Sequence, residues 1–167
     1  MIEYLPLVLT GLGLTASIIY YASVLRNQNK TRQVQLLMDL YTKYQSTEYR
    51  QNTSDIQHQE WVDNEDWKQK YSLDANPESW AKWQSVAGFY NGIGVLLRRN
   101  MIDISLVNEL LANVVYKDWE HMGDILIEWR KEMPPRKRTN EPFDGFDYLH
   151  NELIKYVEEH PELVINR

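Results

Sequence analysis

The 167-residue chain contains no cysteine, which excludes disulfides, thiolate catalysis and zinc or iron–sulfur sites built on cysteine. It also lacks the short motifs by which many enzymes hold phosphates, dinucleotides or catalytic metals. There is no G-x-S-x-G, no H-E-x-x-H, no Walker-type phosphate loop and no G-x-G-x-x-G. No segment alternates apolar and polar residues with period two, and no repeat or low-complexity tract is present. Positive charge is sparse as well. With Glu3 set aside, 23 acidic residues stand against 18 basic ones, a net of −5. No broad basic field exists for nucleic acid, which is therefore not expected as a partner. No cofactor is expected either.

What the chain does have is a run, Tyr4 to Leu25, without Asp, Glu, Lys, Arg or His. As a helix rising ~1.5 Å per residue it would be roughly 33 Å long, enough for a hydrocarbon core of ~30 Å. Residues 1–25 are thus expected to form a transmembrane anchor in a lipid bilayer. A cleaved signal peptide is not expected, because the start Met1-Ile2-Glu3 lacks Lys and Arg and the apolar run exceeds the usual ~7 to 15 residues. A core helix without a polar face would need a larger domain to surround it. Arg26, Lys30 and Arg32 lie directly after the run, which favours a single pass through the cell membrane with the amino terminus outside and residues 26–167 in the cytoplasm. Tyr20, Tyr21 and Arg26 are placed as interfacial anchors. Thr10, Gly13 and Ser17 gather small residues on one side of the run, the pattern by which membrane helices approach one another.

Beyond the run, Val34, Leu37, Met38, Tyr41 and Tyr44 recur at helical spacing. Because no Pro or Gly interrupts Ala16 to Asn52, the anchor is expected to continue into the soluble part as one rod. Gln51 to Ala75 is polar, with isolated Trp61, Trp67 and Tyr71, and reads as short helices or an ordered loop. Asn76-Pro77-Glu78 reads as a helix start. The helix it opens carries Trp80, Trp83, Ala87, Tyr90, Gly94 and Leu97 on one face, and Gly88, Gly92 and Gly94 suggest close helix approach. A further helix starts near Asp103 or Ser105. It carries Leu106, Val107, Leu110, Leu111, Val114 and Val115, then Trp119, Met122, Leu126 and Trp129, until Pro134-Pro135, with a bend allowed at Gly123. The loop Pro134 to Gly145 contains Arg136-Lys137-Arg138, expected to be solvated. A last helix, about Asp147 to Glu159, turns Leu149, Leu153, Ile154 and Val157 inward. The fold class is all-α: one N-terminal transmembrane helix continuing into a soluble helical bundle.

The stretches IIYYASVLRNQNKTRQVQLLMDLYTKY, WQSVAGFYNGIGVLLRRNMIDISLVNELL, DWEHMGDILIEWRKEM and FDYLHNELIKY resemble a domain-of-unknown-function family of prokaryotic proteins with one N-terminal transmembrane helix and a helical soluble domain. The resemblance implies an anchor plus a helical domain and carries no catalytic residue.

Three of the four histidines have an Asp three residues earlier: Asp55 with His58, Asp118 with His121, and Asp147 with His150. Such pairs share a helix face, and two or three together could converge on a metal. Against this, exposed pairs of that spacing are ordinary helix electrostatics. Trp61, Trp67 and Tyr71, in polar surroundings, are candidates for an interaction surface, since aromatics concentrate at interface centres. The expected function is a non-enzymatic accessory or interaction subunit of a larger membrane protein complex, partnered by other membrane subunits or by itself. The alternatives are a membrane-tethered metal-binding or hydrolytic protein using the Asp-x-x-His pairs, and a self-associating anchor.

Overall fold

The computed structural model describes residues 5–132 and 141–166, with side chains described for 9–132 and 141–163. Six α-helices run in order: α1 Leu5–Gln45, α2 Thr47–Gln57, α3 Asn64–Tyr71, α4 Pro77–Arg98, α5 Ile104–Glu132 and α6 Asp144–Glu159, with a 3-10 turn Pro161–Asn166 after them. Among the described residues there is no strand, so the fold is all-α. The chain divides into two compact units, Met1–Leu36 and Leu37–Arg167. Arg136-Lys137-Arg138 lies outside the described residues.

The first unit is the greater part of α1. Leu9, Leu12, Leu14, Ile18, Ile19, Tyr20, Tyr21 and Leu25 are each 60–65 % exposed. Among the described residues no helix is long and apolar enough to cross a membrane.

The second unit begins with the last turns of α1, from Leu37, which is buried. The helix of the apolar run continues without a break beyond Arg26, as the lack of Pro and Gly suggests, and ends at Gln45, short of Asn52. Ser46 stops α1, its extended backbone turns the chain, and its hydroxyl accepts a hydrogen bond from Tyr49 N at 3.3 Å to cap α2. A serine offers the backbone an alternative to the helix ladder and satisfies a donor that the new helix start leaves open. Asp63 caps α3 by accepting from Asp66 N at 2.9 Å. Asn76 caps α4 by accepting from Ser79 N at 3.0 Å, with Pro77 in the first turn.

At the far end of α4, Asn100 takes a left-handed backbone, φ 54°. Its N–H bonds to Leu97 O while that of Met101 bonds to Leu96 O. This pair closes the helix end in the manner of a Schellman motif, with Asn in the position usually held by Gly. The reversal sends the chain into α5, whose first turn is steadied by Asp103 Oδ1 accepting from Ser105 N.

Helix α4 lies at the centre, packed on α6, α2 and α3, while α5 packs on α6 and α3. The tightest approach is where α4 meets α6. A side chain on Gly94 would overlap the Gly145 carbonyl, and Gly145 N donates to Asn91 Oδ1 at 2.9 Å across the seam. Gly88 and Gly92 do not share this role, for nothing lies within 4 Å of a Cβ built on either. Helix α5 runs unbroken through Gly123 to Glu132. Gly123 makes room for the Trp119 ring, 2.9 Å from where its Cβ would be. On α6, Leu149 and Leu153 are buried as expected, but Ile154 is exposed and Phe146, near the helix start, is fully buried instead.

Candidate functional site

Helix α5 buries Leu111, Val115, Met122 and Leu126, a stripe at helical spacing, and in the same register it buries Asp118, 2 % exposed. An acid in that position must be hydrogen-bonded or it costs several kcal/mol. Tyr90 Oη, from α4, donates to Asp118 Oδ2 at 2.7 Å, and Gln57 Nε2, at the end of α2, donates to Oδ1 at 2.6 Å. Gln57 in turn accepts from Lys117 Nζ at 2.7 Å through its Oε1, so the amide passes the influence of the lysine to the carboxyl. Burial still dominates. It holds the Asp118 carboxyl above the usual range, against the pull of Tyr90, Gln57, Lys117 and His121. It also pushes the Tyr90 hydroxyl far up, with Tyr49 and Asp118 adding to the shift. Next to this pair, Tyr49 is only 2 % exposed, and its hydroxyl, raised by the same desolvation, completes no hydrogen bond although Tyr90 and Thr53 act on it.

A half-open pocket of about 290 Å³ lies over this network, between the end of α1, α2 and α5. Asp118 and Gln57 line it, with Lys117, Arg50, Tyr44, Thr53, Ser54 and Val114 completing the wall. Tyr44 feels both signs of charge there: burial raises its hydroxyl, Arg50 lowers it and Asp118 raises it again. Among the described residues Asp118 forms no ion pair with Lys or Arg, and neither Arg50 nor Lys117 forms one with a carboxylate. The sequence pattern links Asp118 to His121 alone. The signal that marks it is its place between Val115 and Met122 in a run of core positions.

The three Asp-x-x-His pairs stay apart. Asp55 Oδ2 pairs with Lys82 at 2.8 Å, and His58 Nδ1 lies 2.7 Å from its own helix's Ser54 O. His121 Nε2 is 2.9 Å from Ile56 O, which requires that nitrogen to carry the proton, and its ring packs on Trp61 at 4.6 Å. Asp147 accepts from Asn151 at 2.9 Å and faces Arg130 at 3.5 Å, while His150 stacks on Trp119 at 5.1 Å. Among the described residues, which include all six, no three His, Asp or Glu side chains gather as metal ligands. Desolvation lowers the pKa of His150, against the opposing influence of Asp147 and Asn151.

Of the three aromatic candidates for an interaction surface, one turns inward. Trp67 is 1 % exposed and is a core residue, a correction to its reading as a surface contact. Its ring meets Trp83 at 4.9 Å and Trp80 at 6.0 Å; Trp80 continues to Trp129 at 5.3 Å, and Trp83 to Trp61 at 5.6 Å. Five of the six tryptophans thus form one chain of ring contacts through the bundle. Trp61 and Tyr71 are half-buried, their rings 6.2 Å apart, and Tyr71 Oη donates to Glu60 O. Together they pin the polar segment between α2 and α4, burying a large area per residue.

On α1, Thr10, Gly13, Ser17, Tyr20, Tyr21 and Arg26 are all exposed. Nothing lies within 4 Å of a Cβ built on Gly13. Three hydroxyls turn back on the helix: Thr15 donates to Gly11 O at 2.9 Å, Ser17 to Gly13 O at 2.8 Å and Ser23 to Ile19 O at 2.9 Å.

No curated protein and no solved structure matches the chain. A family model does match, over residues 7–152, and it takes in α1 through most of α6. The chain belongs to the family described as a domain of unknown function, DUF4760.

Proposed function

We propose that α1 anchors this chain in a cell membrane and that residues 26–167 act in the cytoplasm as a non-catalytic accessory or interaction domain for a membrane assembly. The observation that carries this reading is the bare apolar surface of α1 between Leu9 and Leu25. At about 100° per residue, those eight large side chains fall on every side of the helix. A single docking partner would cover one face, whereas lipid covers all of them. The uncharged run itself begins at Tyr4, upstream of the described side chains, and from there to Leu25 a helix measures roughly 33 Å. The back-bonded hydroxyls of Thr15, Ser17 and Ser23 support the same reading, since a polar group in hydrocarbon needs a partner inside its own helix. Arg26, Lys30 and Arg32 at the end of the run favour the cytoplasmic side for the remainder of the chain. Gly13, open on its outer side, is where a partner helix would sit closest.

The test is fractionation. The full chain is expected in the membrane pellet after an alkaline carbonate wash, and the chain lacking residues 1–25 in the soluble fraction; a full chain released by carbonate overturns the anchor. Mild-detergent purification should then yield a stoichiometric membrane partner that Gly13→Leu loses. Because the chain has no cysteine, Val62→Cys, at a position 91 % exposed, reads the orientation directly. A membrane-impermeant maleimide should leave it unlabelled in intact cells and label it after lysis.

A further inference from the structure

The pocket over Asp118 combines opposite charges that do not pair with each other. The carboxyl acts as an acceptor: Tyr90 and Gln57 each give it one hydrogen bond, and each oxygen keeps a further lone pair. It is buried, and among the described residues no Lys or Arg comes within ion-pairing distance of it. A buried carboxylate in that state is costly, and a cation reaching it through the pocket would relieve the cost. On the same wall stand two cations, Arg50 and Lys117, that among the described residues form no ion pair with a carboxylate. Arg50 spends one hydrogen bond on Gln45 Oε1, and Lys117 one on Gln57 Oε1, so both keep donors to offer.

A simple anion would satisfy Arg50 and Lys117 but leave Asp118 uncovered and repel it. A simple cation would do the reverse. Only a ligand bearing both signs answers the whole wall. We propose that this pocket binds a small zwitterion of the α-amino acid class, its ammonium group on Asp118 and its carboxylate on Arg50 and Lys117.

The space fits that class. The pocket's 290 Å³ holds about ten waters at ~30 Å³ each, and so a molecule of about that many non-hydrogen atoms. Val114 offers an apolar contact, while Ser54 and Tyr44 offer neutral hydrogen-bonding groups for a side chain. Since the pocket is built from α2, α5 and the last turn of α1, the inference stands apart from the membrane reading.

The experiment is isothermal titration calorimetry of the full chain in mild detergent with each common L-α-amino acid. For any binder, the matching amine without the carboxyl group and the matching acid without the amine are titrated next. At least one amino acid should bind with Kd below about 1 mM, and removing either charge should weaken it at least about tenfold. Asp118→Asn should abolish the preference for the amino acid over the acid. Arg50→Ala, a change at an exposed side chain that the fold tolerates, should abolish its preference over the amine. The proposal is overturned if no amino acid binds, if the acid or the amine alone binds as tightly as the amino acid, or if Arg50→Ala leaves the affinity unchanged.

Discussion

Replacing Gly94 with Ala adds one methyl group at the place where α4 and α6 touch. Its Cβ would overlap the Gly145 carbonyl and lie 2.9 Å from Gly145 Cα. The obstacle is backbone and cannot rotate away, so α6 must withdraw by about an ångström, a gap that forfeits up to about half of the dispersion energy across it. Phe146, Leu149 and Leu153 are the fully buried apolar side chains of α6, each contributing about 2 kcal/mol by its burial. Half of that sum is about 3 kcal/mol, and the better helix propensity of Ala returns about 1. The net loss is about 2 kcal/mol, a fall in Tm of about 4–8 °C for a chain of this size. The same substitution at Gly88, six residues earlier on the same helix, meets nothing within 4 Å and should raise stability by about 0.5–1 kcal/mol. Thermal melts followed by far-UV circular dichroism measure both variants against the wild type. A Gly94→Ala protein melting at or above the wild-type temperature, or a Gly88→Ala protein falling with it, would refute the packing argument.

Three further outcomes concern buried groups. Tyr49→Phe removes a hydroxyl that has no completed hydrogen bond and should leave stability unchanged or raise it by up to about 1 kcal/mol in urea denaturation; a loss larger than that would mean the hydroxyl is partnered after all. Trp67→Ala should cost about 3–5 kcal/mol by the same assay, since the ring is at the middle of the tryptophan chain, whereas a docking residue at the surface would leave stability intact. His150 is held below its ordinary value by desolvation, so the unfolded chain takes up its proton first. Its contribution is therefore complete above about pH 6.5 and is lost as the pH falls through the lower native value. Denaturation midpoints measured along that descent should drop in the wild type and drop less in His150→Gln. Equal slopes in the two proteins would remove His150 as the source.

The α4 start was legible in the sequence because Asn76 and Pro77 act within a single turn, and the structure has them as cap and first helical residue. The apolar stripe of α5 was legible for a similar reason, since period and burial share one cause. The break at Ser46 was missed because a serine caps or continues a helix according to where the next helix packs, and that depends on α4. Trp67 looked like a surface residue because its neighbours in sequence are charged, yet α3 turns that one side chain toward Trp83. Gly88 and Gly94 are alike in sequence, and only the facing backbone, at Gly145, separates them. Asp118 required reading an acid inside a core register, and its partners Tyr90 and Gln57 come from helices remote in sequence.

The seam at Gly94 and Gly145 also bears on how the protein is made. Synthesis runs from the amino end, so α6 leaves the ribosome after the five helices that precede it. Until it does, Tyr90 on α4 lacks the stacked ring of Phe146, and the backbone contact that fixes the α4–α6 spacing does not exist. The nascent domain therefore stays open until α6 has been made. A ribosome stalled ahead of Asp144 would hold out an exposed core for chaperones to bind.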